Sequence, residues 1–157
     1  MTHARLIRLA GLASVATAVL IIVSQLIGFF FGPDPANLSE SVTTATATLY
    51  NILKLLGFFL LMLGLVGLYA RQSVQAGALG LIGFLGAFLG TMLVAGDWWF
   101  EAFAAPYLAG VAPQALAEGA SGTLVVGGLA GFVLFALGWV LIGLARFRAR
   151  VFRAGLP

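Results

Sequence analysis

The sequence predicts an all-α membrane protein: a bundle of four transmembrane helices with both chain ends on the cytoplasmic side. Three observations carry that expectation. The composition is too poor in charge for a water-facing surface, several apolar stretches are long enough to cross a bilayer, and acidic and basic residues are sorted strictly along the chain.

Hydrophobic residues make up 62% of the 157 residues and charged ones only 8%. A soluble domain is about half apolar and about a quarter charged, so this surface must face lipid. Apolar runs of about 18 residues or more suffice to span a hydrocarbon core roughly 30 Å thick. The short alternating segments of a membrane barrel are absent from the sequence, which leaves helices that satisfy their own backbone groups. The single membrane domain spans residues 1–157, and no cofactor is expected. There is no cysteine and a single histidine, His3. Thiolate chemistry and a haem held by two histidines of this chain are thereby excluded, and no metal site is expected.

The first span is predicted at 6–31. Arg5 and Arg8 at its start mimic the basic start of a signal peptide, but its apolar run exceeds the usual signal core of about 7–15 residues. Gly32-Pro33-Asp34-Pro35 reads as a helix stop and turn. The second span is predicted at 49–70. Ser39 serves as N-cap with Glu40 just behind it, so that the helix begins early and passes through the Thr-rich stretch. Arg71-Gln72-Ser73 and its neighbours are expected to make a tight hairpin into a third span at 74–96. An outer loop follows at 97–122, then a fourth span at 123–145 and a basic tail at 146–157.

Arg5, Arg8, Arg71, Arg146, Arg148, Arg150 and Arg153 all fall at the two chain ends or in the second connection. Asp34, Glu40, Asp97, Glu101 and Glu118 all fall in the other two connections. By the positive-inside rule both termini are cytoplasmic. The formal charge of +3 therefore records orientation, and no nucleic-acid partner is expected. The basic tail reads as topogenic sequence that also attracts anionic headgroups.

Lipid supplies no hydrophobic force between helices, so close packing falls to small residues. Gly83, Gly86 and Gly90 share one narrow face of the third span, and Gly127 and Gly131 form a GxxxG pair in the fourth. Packing within the bundle is the expected use of these faces, with dimerisation as the rival.

At the outer end, Ser24, Gln25, Asn51 and Thr91 are expected at a depth comparable to Lys54, with Asp97 and Glu101 just above them. Lys54 is the one charged residue clearly within an apolar span, about one turn below its outer boundary, and a pairing with Asp97 or Glu101 is geometrically reasonable. A structural ion pair and a ligand site both remain open there. Trp98, Trp99, Phe103 and Tyr107 suit an interfacial aromatic belt. A short amphipathic helix along the membrane surface is expected, interrupted at Pro106, with a second short helix from Pro113 to Gly119. Such a segment could anchor the loop, cover a lipid or quinone pocket, or dock a partner.

Gly96-Asp97-Trp98-Trp99-Phe100-Glu101 before a Pro-containing loop, and Gly138-Trp139-Val140-Leu141-Ile142-Gly143 before a basic tail, resemble small uncharacterised four-span integral membrane proteins of high-GC bacteria. The resemblance is one of pattern over most of the chain. It implies a multi-pass protein of the bacterial cytoplasmic membrane and carries over no catalytic residues.

No Ser-His-Asp or Cys-His set, HExxH motif or phosphate-cradling loop is present in the sequence, so a non-enzymatic role is expected. The partners expected are the lipid bilayer and other membrane subunits, or further copies of the chain. An accessory, scaffolding or assembly subunit, with a lipid or other hydrophobic ligand at its outer end, fits best. The alternative is a small oligomeric transporter or channel using Lys54. Against it, the inner halves of the spans are almost wholly apolar.

The orientation is directly testable. A reporter that fluoresces only in the cytoplasm should light up when fused at the C-terminus. A dark fusion that is nevertheless expressed refutes the assignment.

Overall fold

The computed structural model describes residues 3–32, 38–117 and 122–148. Among them the secondary structure is helical throughout. Helix α1 spans His3–Phe31, the one-turn α2 Leu38–Ser41 and α3 Ala45–Trp99. A π-helical segment, Phe100–Ala104, runs directly into α4 (Ala105–Val111). The short α5 (Gln114–Ala117) and the long α6 (Gly122–Arg148) complete the chain. Four stretches are long and apolar enough to cross a membrane: Ala4–Phe31, Ala45–Gln72, Gln75–Val111 and Val125–Arg148. The chain is thus a multi-pass membrane protein built as a helical bundle. Of the sequence expectations, the turn at 33–35, the stop at Gly119 and the tail beyond Arg148 lie outside the described residues.

Helix α3 is two antiparallel limbs rather than one rod. At Gly77 the backbone has φ +55° and ψ −157°, a region closed to residues with a side chain. The limbs fold back on each other there, bringing Tyr69 onto Phe84 in a stack with ring centres 4.4 Å apart and Tyr50 edge-on to Trp98. The turn expected at Arg71-Gln72-Ser73 is therefore displaced. Arg and Gln are good helix formers, so the first limb continues past them until glycine permits the reversal.

Two further boundaries differ from expectation. Ser39 lies inside α2 and does not cap the second span; Thr44 does, its hydroxyl accepting the Ala47 N–H at 3.2 Å. The hydroxyls of Thr43 and Thr44 also donate back to the carbonyls of Glu40 and Ser41. That competition with backbone bonding closes α2 before α3 starts. The third span does not stop at Gly96, and no separate surface helix begins there. Helical geometry is kept through Trp99, Phe100 and Ala105. Pro106 falls in the first turn of α4, where a missing N–H is least costly, and the wider π turn precedes it. The 37-residue stretch is roughly 55 Å long at 1.5 Å per residue, well beyond a hydrocarbon core. Pro113 immediately precedes α5, and the Leu116 N–H bonds its carbonyl.

The hairpin is the centre of the bundle. Of the most apolar part of each span, 33% and 39% is buried in the two limbs, but only 17% in α1 and in α6. Helix α1 packs on the first limb, α6 packs on the hairpin, and α1 and α6 scarcely meet. Glycines define both seams. Against α1, Gly57 faces Leu20 and Ile21, Gly64 faces Ser14 and Gly67 faces Ala10. Thr17 on α1 lies 2.9 Å from the Ala13 carbonyl and 3.0 Å from the Gly57 carbonyl. Its one proton is thus available to a bond across the seam, of the kind that supports helix pairs in lipid. Against α6, Gly83 meets the backbone at Leu141 and Ile142, Gly90 that of Phe135, and Gly86 lies against Gly138. The glycine face of the third span is therefore used within the chain.

Gly131 meets Leu93, but Gly127 has open space where a side chain would go. The expected packing role of Gly127 is corrected accordingly: α6 splays from α3 at that end. Gly138, not assigned to packing from the sequence, approaches Ala87 most closely. Leu65, Ala87 and Ile142 form the buried apolar cluster between limbs and α6. At the arginine-bearing end, Arg146 donates to Gln72 at 2.9 Å.

These seams predict an order of sensitivity. Gly90→Leu and Gly138→Leu drive side chains into backbone and should destabilise the protein by about 1–3 kcal/mol or more. Gly127→Leu should be near neutral. Thermal unfolding in one detergent checks this, and equal melting shifts at Gly127 and Gly138 would contradict the seam.

Candidate functional site

The five polar residues expected to cluster are divided by the structure between one buried centre and two flanking grooves. The centre lies at the acidic end of the hairpin. Lys54 and Asn51 both point inward from the first limb, 6% and 2% exposed. Tyr50, one helical turn before Lys54, completes the group on that limb. Trp98 reaches it from the second limb, since the hairpin places residues 50 and 98 at the same level.

The Lys54 ammonium donates to the Tyr50 hydroxyl at 2.5 Å. It also lies 4.1 Å from the centre of the Tyr50 ring and 3.7 Å from that of Trp98. The two rings stand nearly perpendicular, with centroids 6.1 Å apart, forming two sides of an aromatic corner. A cation desolvated against such faces gains about 2 kcal/mol from each well-placed ring. Gly28 of α1 closes the outside of the corner, where any side chain would overlap the Tyr50 ring.

The expected ion pair of Lys54 with Asp97 or Glu101 is not formed. No carboxylate among the described residues comes within 4 Å of the ammonium, and Asp97 acts on it only through its field. Direct aromatic and phenolic contacts take the place of the carboxylate.

Around this corner the hydroxyls of the fully buried Ser24 and Thr91 are spent on their own helices. Ser24 donates to the Ile21 carbonyl and Thr91 to that of Ala87. Asn51 Oδ1 and Trp98 Nε1 are buried and have no hydrogen-bond partner among the described residues. Trp98, expected at the interface, is thus turned into the protein. Trp99, Phe103 and Tyr107 remain exposed, at 53%, 49% and 68%.

Gln25 is exposed on α1. It lines a groove of about 590 Å³ with Gly28, Phe29 and Tyr50, the last of which is shared with the buried centre. Asp97 and Glu101, both half-buried, line a larger groove of about 770 Å³ between the second limb and α6. That groove opens where α6 diverges at Gly127 and Gly128. The two carboxylates are close enough to repel one another. Its remaining lining is chiefly apolar, including Met92, Leu93, Leu129 and Phe132, so it suits an acyl chain or a similarly hydrophobic molecule.

Tyr50 and Gly28 were not singled out from the sequence. The spacing of Tyr50 and Lys54, one turn apart on a helix, was the available signal for the first. Nothing local marks Gly28. Among the described residues, no group of three or more His, Asp or Glu side chains is placed to hold a metal ion. No family profile, curated protein or solved structure matches the chain.

The coupling of Lys54 to its corner can be measured. Tyr50→Phe should cost about 1–2 kcal/mol when Lys54 is present, because a hydrogen bond to a charged group is lost. In a Lys54→Met background the same change should cost almost nothing. Additive melting shifts across this double-mutant cycle would show that the contact does not stabilise the fold.

Proposed function

We propose that this chain is a non-catalytic subunit of the bacterial cytoplasmic membrane, with both termini inside. It serves as an accessory, scaffolding or assembly component of a larger membrane assembly. The observation that carries this reading is the enclosure of Lys54. The most conspicuous intramembrane charge is 6% exposed and spends its contacts on Tyr50 and Trp98. It ties the limbs of α3 together instead of presenting a charge to a passing solute. Intramembrane cations that mark transport pathways face a water-filled cavity or pair within one.

The lipid-facing surface supports the same reading. Helices α1 and α6 stand apart on either side of the hairpin, each with a broad exposed apolar face. Leu12, Val15 and Val19 represent the first, Val126, Leu129 and Val140 the second. Both edges are open to helices of other subunits. The groove beside Asp97 and Glu101 is the place within one subunit for a lipid or other hydrophobic ligand.

Purification in a gentle detergent followed by native mass spectrometry tests the proposal. Stable co-purification with other membrane subunits is the expected outcome. A homo-oligomer that conducts solute in liposomes, with flux abolished by Lys54→Met, would replace this reading with a transporter.

A further inference from the structure

We propose that the furrow between α1 and the first limb of α3, at the arginine-bearing end, is a binding site for one anionic phospholipid. Its phosphate would sit at Arg71, and one acyl chain would run along the seam.

The furrow follows from the glycine seam. Gly64 and Gly67 bring the limb so close to Ser14 and Ala10 that no side chain fills the outer edge of the contact. What remains is an open channel of about 130 Å³, lined by Ile7, Gly11, Ser14, Gly64, Leu68 and Arg71. Apart from Ser14, whose hydroxyl donates to the Ala10 carbonyl, its walls are apolar, and its only charged lining residue is Arg71. That is the layout of a phospholipid: a hydrocarbon tail beside an anionic head.

Charge complementarity identifies the head. Arg71 is exposed and has no hydrogen bond or ion pair among the described residues. Arg146 on α6 lies near enough to repel it, and Arg5 and Arg8 are exposed on α1 at the same end. The carboxylates of the described residues, Glu40, Asp97 and Glu101, all lie at the opposite end. Among the described residues, this end therefore carries no carboxylate to offset its guanidiniums. A guanidinium fork matches a phosphate geometrically, and the membrane supplies phosphates at this depth.

Gly11 gives the means to separate a shaped site from diffuse attraction. A side chain there meets nothing within 4 Å, so Gly11→Leu should fill the furrow without disturbing the helix contact. The full-length protein would be incubated in detergent with equal amounts of phosphatidylglycerol and phosphatidylcholine of matched chains, then analysed by native mass spectrometry. Phosphatidylglycerol should be retained about fivefold over phosphatidylcholine, as one well-placed arginine allows. Arg71→Gln should abolish that preference, Gly11→Leu should reduce retention of the anionic lipid, and Arg148→Gln should leave it unchanged. Equal retention of the two lipids overturns the proposal. So does a preference that survives both Arg71→Gln and Gly11→Leu, or one lost as fully in Arg148→Gln, which would indicate general positive charge. Unfolding temperatures measured in parallel confirm that each variant is folded.

Discussion

Close backbone approach at glycine is the constraint on which the rest of this structure depends. In lipid an apolar side chain gains nothing by leaving its neighbours for another helix, so association falls to dispersion at short range and to hydrogen bonds. Gly57, Gly64 and Gly67 provide that range toward α1, and Gly83, Gly86, Gly90 and Gly138 toward α6. The same seams place Thr17 against the Gly57 carbonyl. By fixing the hairpin they also bring Tyr50, Lys54 and Trp98 to one level.

The acidic end shows how a buried charge is accommodated without a counter-ion in contact. A carboxylate next to Lys54 would itself have to be desolvated, whereas aromatic faces offer negative potential at little solvation cost. Asp97 and Glu101 instead remain on the flank, in a groove exposed at the splayed junction of α3 and α6. Polar chemistry at this end is thus partitioned. A sealed cation holds the hairpin, and accessible acids border a space large enough for a ligand.

Much of the architecture was legible because lipid constrains sequence harshly. The number of spans follows from run length and lack of charge, and the shared glycine face of the third span from the Gly83–Gly86–Gly90 spacing. What escaped depended on three-dimensional register. The motif at Gly127 and Gly131 has the right spacing, but only splaying of α6 decides that Gly127 stays open. Arg71-Gln72-Ser73 looks like a polar loop, yet helix formers persist in helix until Gly77 permits a reversal. The Lys54 contact was sought among carboxylates on grounds of charge. Its actual partners are a tyrosine on the same helix and a tryptophan whose expected place was the interface.

The separation of α1 from α6 also bears on how the molecule can be built. The major seams join α1 with the first limb, the two limbs with each other, and α6, last in the chain, with the hairpin. Early helices therefore need not be held apart, awaiting a late partner, while synthesis continues. The first three crossings can settle in order of emergence, and α6 then docks on a finished platform, where Arg146 reaches Gln72. Such connectivity permits assembly by local closures, the hairpin forming before α6 docks on it.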